Sequence, residues 1–229
     1  MRTYAIIPSG GVGKRIESSL PKQYIQVNGK ELIAYTLEVF QNCDQVDEII
    51  IPAQKEYFDL LNSIKTKYGI TKLTKIVEGG EERQHSVFNA LQSISADGND
   101  LIAVHDAARP LLPNEVLLNA IETAKEFNSV IVAIKAKDTL IKGNDFVEGY
   151  IDRNEVFYVQ TPQIFKFNIL SESMITAQKQ DFLGFDESIL VHKTSNNKIK
   201  IVEGSSLNFK VTTNSDLDLF RLIVNIETS

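Results

Sequence analysis

A glycine-rich turn followed by basic residues is the first feature of this sequence that could do chemistry. Pro8–Gly13 follows an apolar run, and Lys14, Arg15 and Lys22 come after it. Glycines let backbone N–H groups approach phosphate oxygens, and fixed cations nearby would stabilise charge during phosphoryl or nucleotidyl transfer. A Walker loop would require Gly at position 8, and a dinucleotide fingerprint would require Gly or Ala at position 16, so neither motif fits. Taken alone, the turn is as consistent with solvated surface cations as with phosphate binding.

A carboxylate at the end of an apolar run is the second candidate. Leu101–His105 is followed by Asp106 and Arg109. A carboxylate after a buried strand is suited to hold Mg²⁺ against nucleotide phosphates, and an arginine beside it can bind an anion through two hydrogen bonds. The alternative is an aspartate that caps a turn or a helix. His105 is expected to be a packed residue at the strand end.

Other polar residues are less specific by themselves. Gly80 follows a further apolar run, and Arg83 and Ser86 lie one helical turn apart after it. This segment is also typical of a loop with a helix cap. Arg153 and Lys210 are isolated cations, which on their own indicate surface charge.

The elements that must position these residues alternate between strands and helices. Short apolar runs predict strands at Tyr4–Ile7, Glu48–Pro52, Lys75–Val77, Leu101–His105, Val130–Ile134, Val156–Val159, Lys200–Val202 and Phe209–Thr212. Amphipathic stretches predict helices near Leu32–Gln41, Gln54–Lys67, Gln84–Ser93, Asn114–Phe127, Asn168–Gln178 and Ser215–Ile226. This order predicts an α/β fold with a mainly parallel sheet, which binds ligands at the carboxyl ends of its strands.

Domain organisation and composition narrow the function further. Residues 1–229 are expected to form one domain, with a polar stretch at 136–155 protruding as a hairpin arm. The net charge of −6 argues against duplex-DNA binding, although a local basic cluster can still bind a small anion. Cys43 is the single cysteine, and no apolar run approaches the ~20 residues of a membrane span. We therefore expect a cytoplasmic protein that binds neither nucleic acid nor membrane.

Taken together, five segments resemble the 2-C-methyl-D-erythritol 4-phosphate cytidylyltransferase family over nearly the whole chain. They are Gly11–Arg15 with Pro21–Tyr24, Gly79–Val87, Val104–Pro110, Gln160–Gln163 and Asn208–Thr212. The resemblance implies a Rossmann-like nucleotidyltransferase fold of the glycosyltransferase-A type, and transfer of CMP from CTP to a sugar-alcohol phosphate. It also implies release of pyrophosphate and a requirement for Mg²⁺.

The same resemblance implies a role for each candidate residue. CTP would be bound by Pro8, Ser9, Gly10, Gly11, Gly13, Gly80, Arg83 and Ser86. Arg15 and Lys22 would stabilise charge on the reacting phosphates, and Asp106 would bind the metal. The acceptor phosphate would be bound by Arg109, Thr139, Arg153, Thr161 and Lys210. The resemblance further implies a homodimer in which each arm crosses to the partner's site, so that Thr139 and Arg153 act in trans.

Two departures from the family pattern concern the nucleotide-binding turn and the acceptor site. Pro8 and Ser9 stand where many members have alanines, and Pro8 removes one backbone donor from the turn. Gly184–Ser188 replaces a Thr-Asp-Asp-Ala-Ser-like stretch and lacks its threonine. Ribitol 5-phosphate cytidylyltransferases share the fold and most motifs, and they are the main alternative. Ala108 favours methylerythritol phosphate, and a nucleotide-binding protein without turnover is a further alternative.

Overall fold

Strands and helices alternate along the chain as its apolar runs predict. The computed structural model describes residues 1–11 and 20–227. Within these residues the strands are β1 Thr3–Ile6, β2 Gln26–Val27, β3 Lys30–Glu31, β4 Glu48–Ala53, β5 Leu73–Glu78, β6 Leu101–Val104, β7 Ser129–Lys135, β8 Leu140–Gly143, β9 Val147–Ile151, β10 Phe157–Lys166 and β11 Lys200–Glu203. The helices are α1 Leu32–Gln41, α2 Phe58–Lys67, α3 Arg83–Ser93, α4 Asn114–Phe127, α5 Phe167–Lys179, α6 Glu187–Thr194 and α7 Asn214–Glu227.

Seven of these strands form the central sheet, in the order β11-β7-β10-β6-β1-β4-β5. Neighbouring strands are parallel except at β10, which is antiparallel to both β6 and β7. The α/β fold with a mainly parallel sheet is thereby confirmed. Because β1, β4, β5 and β6 run in the same direction, their carboxyl ends meet at one edge of the sheet.

Helices bury both faces of this sheet. In β6, Leu101 and Ala103 point into a cluster formed with α1, α2 and α4, whereas Ile102 and Val104 point into a cluster formed with α3, α5 and α6. A strand covered on both faces has no solvent side, which explains its continuous apolar sequence. The sheet is therefore a rigid base for the loops that follow its strands.

Most predicted elements are confirmed, and one is wrong. Helices α1 and α4 have the predicted bounds, whereas the strand expected at Phe209–Thr212 is not formed. Among residues 1–11 and 20–227 no strand pairs with this segment, and its Val211 N–H donates to the Ala108 carbonyl at 2.8 Å instead. The alternation of apolar and polar residues there comes from a loop with one buried side and one side that faces a cavity.

The 136–155 stretch contains a two-stranded hairpin outside the central sheet. Strand β8 pairs antiparallel with β9 and with no other strand among the described residues. The hairpin exposes large apolar side chains, with Phe146 at 85% and Tyr150 at 76% exposure.

In the described part of the chain, no helix is both long and apolar enough to cross a bilayer.

Candidate functional site

A cavity of about 470 Å³ lies at the carboxyl ends of β1, β5 and β6. Its walls come from the loops after these strands, from a short 3-10 helix and from the loop between β11 and α7. The lining residues are Pro8, Gly10, Gly11, Lys22, Gln23, Gly80, Glu81, Glu82, Arg83, Ser86, Asp106, Ala107, Ala108, Lys210 and Thr212. Residues far apart in the sequence thus meet where an open α/β sheet places its ligands.

Asp106 is the electrostatic centre of the cavity. Its Oδ2 lies 2.9 Å from Lys210 Nζ and 3.4 Å from Arg109 Nε, and its Oδ1 lies 3.4 Å from Arg83 Nε. Burial alone would raise the pKa of Asp106, but the charges of Lys210, Arg83 and Arg109 outweigh it and hold the pKa well below its usual value. The carboxylate is therefore ionised at neutral pH, and one anion is surrounded by three cations.

A buried histidine and a threonine fix the backbone at Asp106. The Asp106 N–H donates to Thr161 Oγ1 at 3.0 Å, and Thr161 Oγ1 lies 3.1 Å from His105 Nδ1. The other ring nitrogen of His105 faces the Arg109 carbonyl, which can only accept, so Nε2 carries the proton and Nδ1 accepts from Thr161. Burial lowers the pKa of His105 to about 4, so the ring is neutral at physiological pH. The prediction that His105 is a packed strand-end residue is confirmed.

Arg109 and Thr161 lie behind Asp106 and do not line the cavity. Arg109 Nη1 donates to the Asn208 carbonyl at 2.6 Å, and Asn208 Nδ2 donates to the Thr161 carbonyl at 2.8 Å. These bonds join the Asp106 loop to the segment that carries Lys210. In this conformation both residues contact the Asp106 loop, and their contact with an acceptor phosphate stays a prediction.

The turn after β1 is held by side chains from the 3-10 helix Lys22–Tyr24. Gln23 Nε2 donates to the Ser9 carbonyl at 2.6 Å and to the Gly11 carbonyl at 3.1 Å. The Ser9 hydroxyl lies 2.7 Å from the Tyr24 hydroxyl and is buried, so it fixes the turn and does not line the cavity. Predicted site residues Gly13 and Arg15 lie outside the described residues.

Gly80 and Ser86 form a tight junction at the start of α3. The Gly80 N–H donates to Ser86 Oγ at 3.0 Å, and Ser86 Oγ donates to the Glu82 carbonyl at 3.1 Å. A Cβ at position 80 would lie 2.3 Å from the Cβ of His85, so a larger residue cannot take this place without a shift of the backbone. Gly80, Arg83 and Ser86 all line the cavity, and their contact with cytidine stays a prediction.

Glu187 is a neighbour of the site that sequence reasoning missed. It lies at the start of α6, and its Oε1 accepts from Arg83 Nη1 at 2.6 Å. The only signal in the sequence was its position inside the Gly184–Ser188 segment that departs from the family pattern. No spacing rule connects it to Arg83, which is 104 residues away.

Thr139 and Arg153 are not brought to the cavity of their own chain. Both are exposed, and Arg153 Nη1 donates to the Lys137 carbonyl at 2.8 Å. They flank the β8–β9 hairpin on its two sides. Within one chain they therefore form a separate surface from the Asp106 cavity.

The carboxylate of Asp106 fits a divalent cation that is held mainly by the phosphates of a bound substrate. Among the described residues, no group of three or more His, Cys, Asp or Glu side chains could enclose a metal ion. Mg²⁺ is commonly held in proteins by one or two carboxylates together with substrate phosphates, and an ionised Asp106 supplies one such oxygen donor. Asp106 is therefore suited to bind a metal that arrives with a nucleotide.

Comparisons with known proteins all point to one family. The family model described as IspD, 2-C-methyl-D-erythritol 4-phosphate cytidylyltransferase, matches residues 3–225. A protein of that name from Clostridium acetobutylicum is 38% identical over 216 residues, which are 93% of this chain and 93% of the relative. A second, from Geobacillus kaustophilus, is 36% identical over 221 residues, which cover 95% and 94% of the two chains.

Solved structures agree with this similarity. The 4-diphosphocytidyl-2C-methyl-D-erythritol synthase of Anaerococcus prevotii superposes with a TM-score of 0.84 at 28% identity and covers 98% of this chain and 96% of its own. The 2-C-methyl-D-erythritol 4-phosphate cytidylyltransferase of Thermus thermophilus gives a TM-score of 0.81 at 26% identity, with coverage of 98% and 100%. The similarity thus extends over nearly the whole of this chain and of each solved structure.

Proposed function

The chain belongs to the 2-C-methyl-D-erythritol 4-phosphate cytidylyltransferase family, and on this premise we propose how its residues carry out the reaction. It is a cytidylyltransferase that transfers CMP from CTP to 2-C-methyl-D-erythritol 4-phosphate and releases pyrophosphate, a step in isoprenoid precursor biosynthesis. The observation that carries the proposal is the ionised Asp106 surrounded by Lys210, Arg83 and Arg109 in a cavity next to a glycine turn.

The chemistry requires that two anions meet. A phosphate oxygen of the acceptor attacks the α-phosphorus of CTP, a new P–O bond forms, and the bond to the β-phosphate oxygen breaks as pyrophosphate leaves. The second pKa of a phosphate monoester is about 6, so the nucleophile is already largely ionised at neutral pH and no general base is needed. What the enzyme must supply is orientation and compensation of negative charge.

Cations around the cavity would supply that charge. Lys22 and Lys210 line it, and we propose that Lys22, together with Arg15, stabilises the reacting phosphates. Lys210 would bind the acceptor phosphate and stabilise the transition state. Arg109 and Thr161 would hold the Asp106 loop against the acceptor, because both are bonded to that loop from behind.

The nucleotide is proposed to occupy the wall formed by the loops after β1 and β5. Pro8, Gly10 and Gly11 present their backbone there, while Gly80, Arg83 and Ser86 would hold the cytidine. Nucleotidyltransferases commonly use a divalent metal, and we propose Mg²⁺ with Asp106 as its protein ligand. When bound, Mg²⁺ would neutralise phosphate charge and polarise the α-phosphate.

Release of pyrophosphate is the measurement that tests this assignment. The purified enzyme is supplied with CTP, Mg²⁺ and either 2-C-methyl-D-erythritol 4-phosphate or ribitol 5-phosphate. We expect rapid turnover with the first acceptor and at least about 10²-fold lower kcat/KM with the second, since a site built for one set of hydroxyls leaves polar groups unpaired with another. Turnover with ribitol 5-phosphate alone would contradict the acceptor, and no release with either would support nucleotide binding without catalysis.

We also propose that the active form is a homodimer in which each arm reaches the partner's cavity. The β8–β9 hairpin exposes Phe146, Val147 and Tyr150, an apolar surface of the kind that is usually covered in an assembly. Arg153 and Thr139 lie beside it and away from the cavity of their own chain. An exchange of arms would bring both residues to an acceptor phosphate.

Mixing two inactive variants tests the exchange of arms. Arg153→Ala and Lys22→Ala proteins should each be nearly inactive, and each heterodimer should contain one site with both residues intact. Random reassortment makes half of the dimers mixed, so we expect recovery of about one quarter of wild-type activity. Absence of recovery after subunit exchange is confirmed by mass spectrometry would show that each site is built from a single chain.

We propose a cytoplasmic location from the cysteine content of the chain and from the nature of its substrates. Cys43 is buried and is the single cysteine of the chain, so folding requires no oxidising compartment. The substrates are charged small molecules, and no nucleic acid is implied.

A further inference from the structure

Arg83 lies between two carboxylates that come from different parts of the fold. Its Nε is 3.4 Å from Asp106 Oδ1, and its Nη1 donates to Glu187 Oε1 at 2.6 Å. The shorter contact therefore goes to Glu187, which does not line the cavity, whereas Arg83 does. The orientation of the guanidinium in the cavity wall is thus set largely from behind the wall.

The backbone at Glu187 is fixed without the help of the Glu187 side chain. The preceding residue, Asp186, caps α6 by accepting from the Ile189 N–H at 3.0 Å. Gln163 of β10 donates to Asp186 Oδ2 at 2.9 Å and accepts from the Ser188 N–H at 2.8 Å. These bonds tie both neighbours of Glu187 to the central sheet, so a change of its side chain should leave the start of α6 in place.

Glu187 is a buried carboxylate whose burial is only partly compensated by hydrogen bonds. It is 1% exposed, and its Oε2 is buried and has no hydrogen-bond partner among the described residues. Burial raises the pKa of Glu187, and the charge of Arg83 offsets only part of that effect. A buried carboxylate with one unsatisfied oxygen carries a desolvation cost, which its ion pair with Arg83 must offset. The ion pair with Arg83 is the one feature of Glu187 that an apolar residue at this position could not provide.

A nucleotide in the cavity changes the balance of charges around Arg83. The phosphates of CTP compete with Asp106 for the surrounding cations, which weakens the longer contact between Asp106 and Arg83. Glu187 does not line the cavity, so a nucleotide there would leave its contact with Arg83 in place. We propose that Glu187 is a positioning residue that holds Arg83 in place for the nucleotide, and this inference rests on the proposed role of Arg83 in binding CTP.

The test is Glu187→Gln, which keeps the shape of the side chain and removes its charge. The dissociation constant of CTP is measured by isothermal titration calorimetry, and KM is measured for CTP and for the acceptor. We expect CTP binding to weaken about tenfold, since the ion pair with Arg83 is replaced by a hydrogen bond to an uncharged acceptor. The KM of the acceptor should stay within about twofold.

Glu31→Gln is the matched control for loss of a buried carboxylate. Glu31 is also buried, but it accepts from Tyr68 and Gln26 at a distance from the cavity. Glu31→Gln should change the melting temperature without changing CTP affinity. Equal weakening of CTP binding in Glu187→Gln and Glu31→Gln would assign the effect to general destabilisation and overturn the inference.

A double-mutant cycle with Arg83→Ala separates the two proposals. If Glu187 acts through Arg83, then Glu187→Gln has no further effect on CTP affinity once Arg83 is alanine. An unchanged tenfold effect in that background overturns the positioning role. If Arg83→Ala weakens CTP binding and Glu187→Gln does not, only the inference about Glu187 fails. If Arg83→Ala itself leaves CTP affinity unchanged, the proposed role of Arg83 fails and the inference fails with it.

Discussion

Replacement of Asp106 by asparagine is expected to lower kcat/KM by about 10³-fold, the largest effect of any single substitution considered for this chain. Asparagine has nearly the same shape but no charge. It would leave Lys210, Arg83 and Arg109 clustered without their common anion, and it would remove the proposed ligand of the metal. Pyrophosphate release under saturating CTP, with a titration of Mg²⁺, measures both consequences.

Stability should fall in the same variant, but by less than for a fully buried ion pair. Breaking a buried pair typically costs about 3–5 kcal/mol. Arg109 is largely buried but keeps its hydrogen bond to the Asn208 carbonyl, whereas Arg83 and Lys210 are 31% and 39% exposed and can be solvated. We therefore expect the free energy of unfolding in urea to decrease by about 2 kcal/mol.

Asp100→Asn provides the control at the opposite end of the same strand. Asp100 precedes β6 and is buried, and its carboxylate accepts from the backbone N–H groups of Arg2 and Asp97. Its substitution should also lower stability while leaving kcat/KM within about twofold. If Asp106→Asn retained more than about one tenth of wild-type kcat/KM, Asp106 would have no central role in the reaction.

Replacement of Lys22 by alanine is expected to lower kcat by 10²-fold or more, the range found when a single donor of transition-state stabilisation is removed. Lys22 lines the cavity, and its Nζ donates to the Val211 carbonyl at 2.9 Å. That bond directs the ammonium group toward the segment that carries Lys210. Stopped-flow or coupled measurement of pyrophosphate release at saturating substrates gives kcat directly.

Lys72→Ala is the matched control for Lys22→Ala. Lys72 is half-buried like Lys22, and its Nζ likewise donates to a backbone carbonyl, that of Cys43, at 2.7 Å, but it lies away from the cavity. Loss of that bond should leave kcat unchanged. A kcat for Lys22→Ala within threefold of that for Lys72→Ala would remove the charge-stabilising role.

The parts of the fold that follow from local sequence were predictable. Helix α4 shows Leu117, Ala120, Ile121 and Ala124 at helical spacing, and its bounds agree with the prediction. Strand β10 was predicted to end at Val159, yet it continues to Lys166. Pro162 and the polar residues around it are unusual in a strand, and they are accommodated where the pairing of β10 with β7 shifts register. That irregularity depends on a partner strand, so the local pattern could not reveal it.

The site was predictable to the extent that its residues follow strands. Asp106 and Gly80 each come after an apolar run, and the topology of a parallel sheet brings them to one cavity. The contact between Glu187 and Arg83 was not predictable, since it forms only because α6 packs near the start of α3. Contacts of this kind have no period in the sequence and arise from tertiary packing alone.

The hydrogen bond between Val211 N–H and the Ala108 carbonyl joins a late part of the chain to the loop that carries Asp106. The cavity is lined by residues from Pro8 to Thr212, so its last wall is absent until almost all of the chain has been synthesised. A domain that emerges from the ribosome N-terminus first can bury β1, β4 and β6 early, but it has no complete substrate site at that stage. A nascent or C-terminally truncated chain that lacks the segment around Lys210 should therefore fold in part without becoming an enzyme.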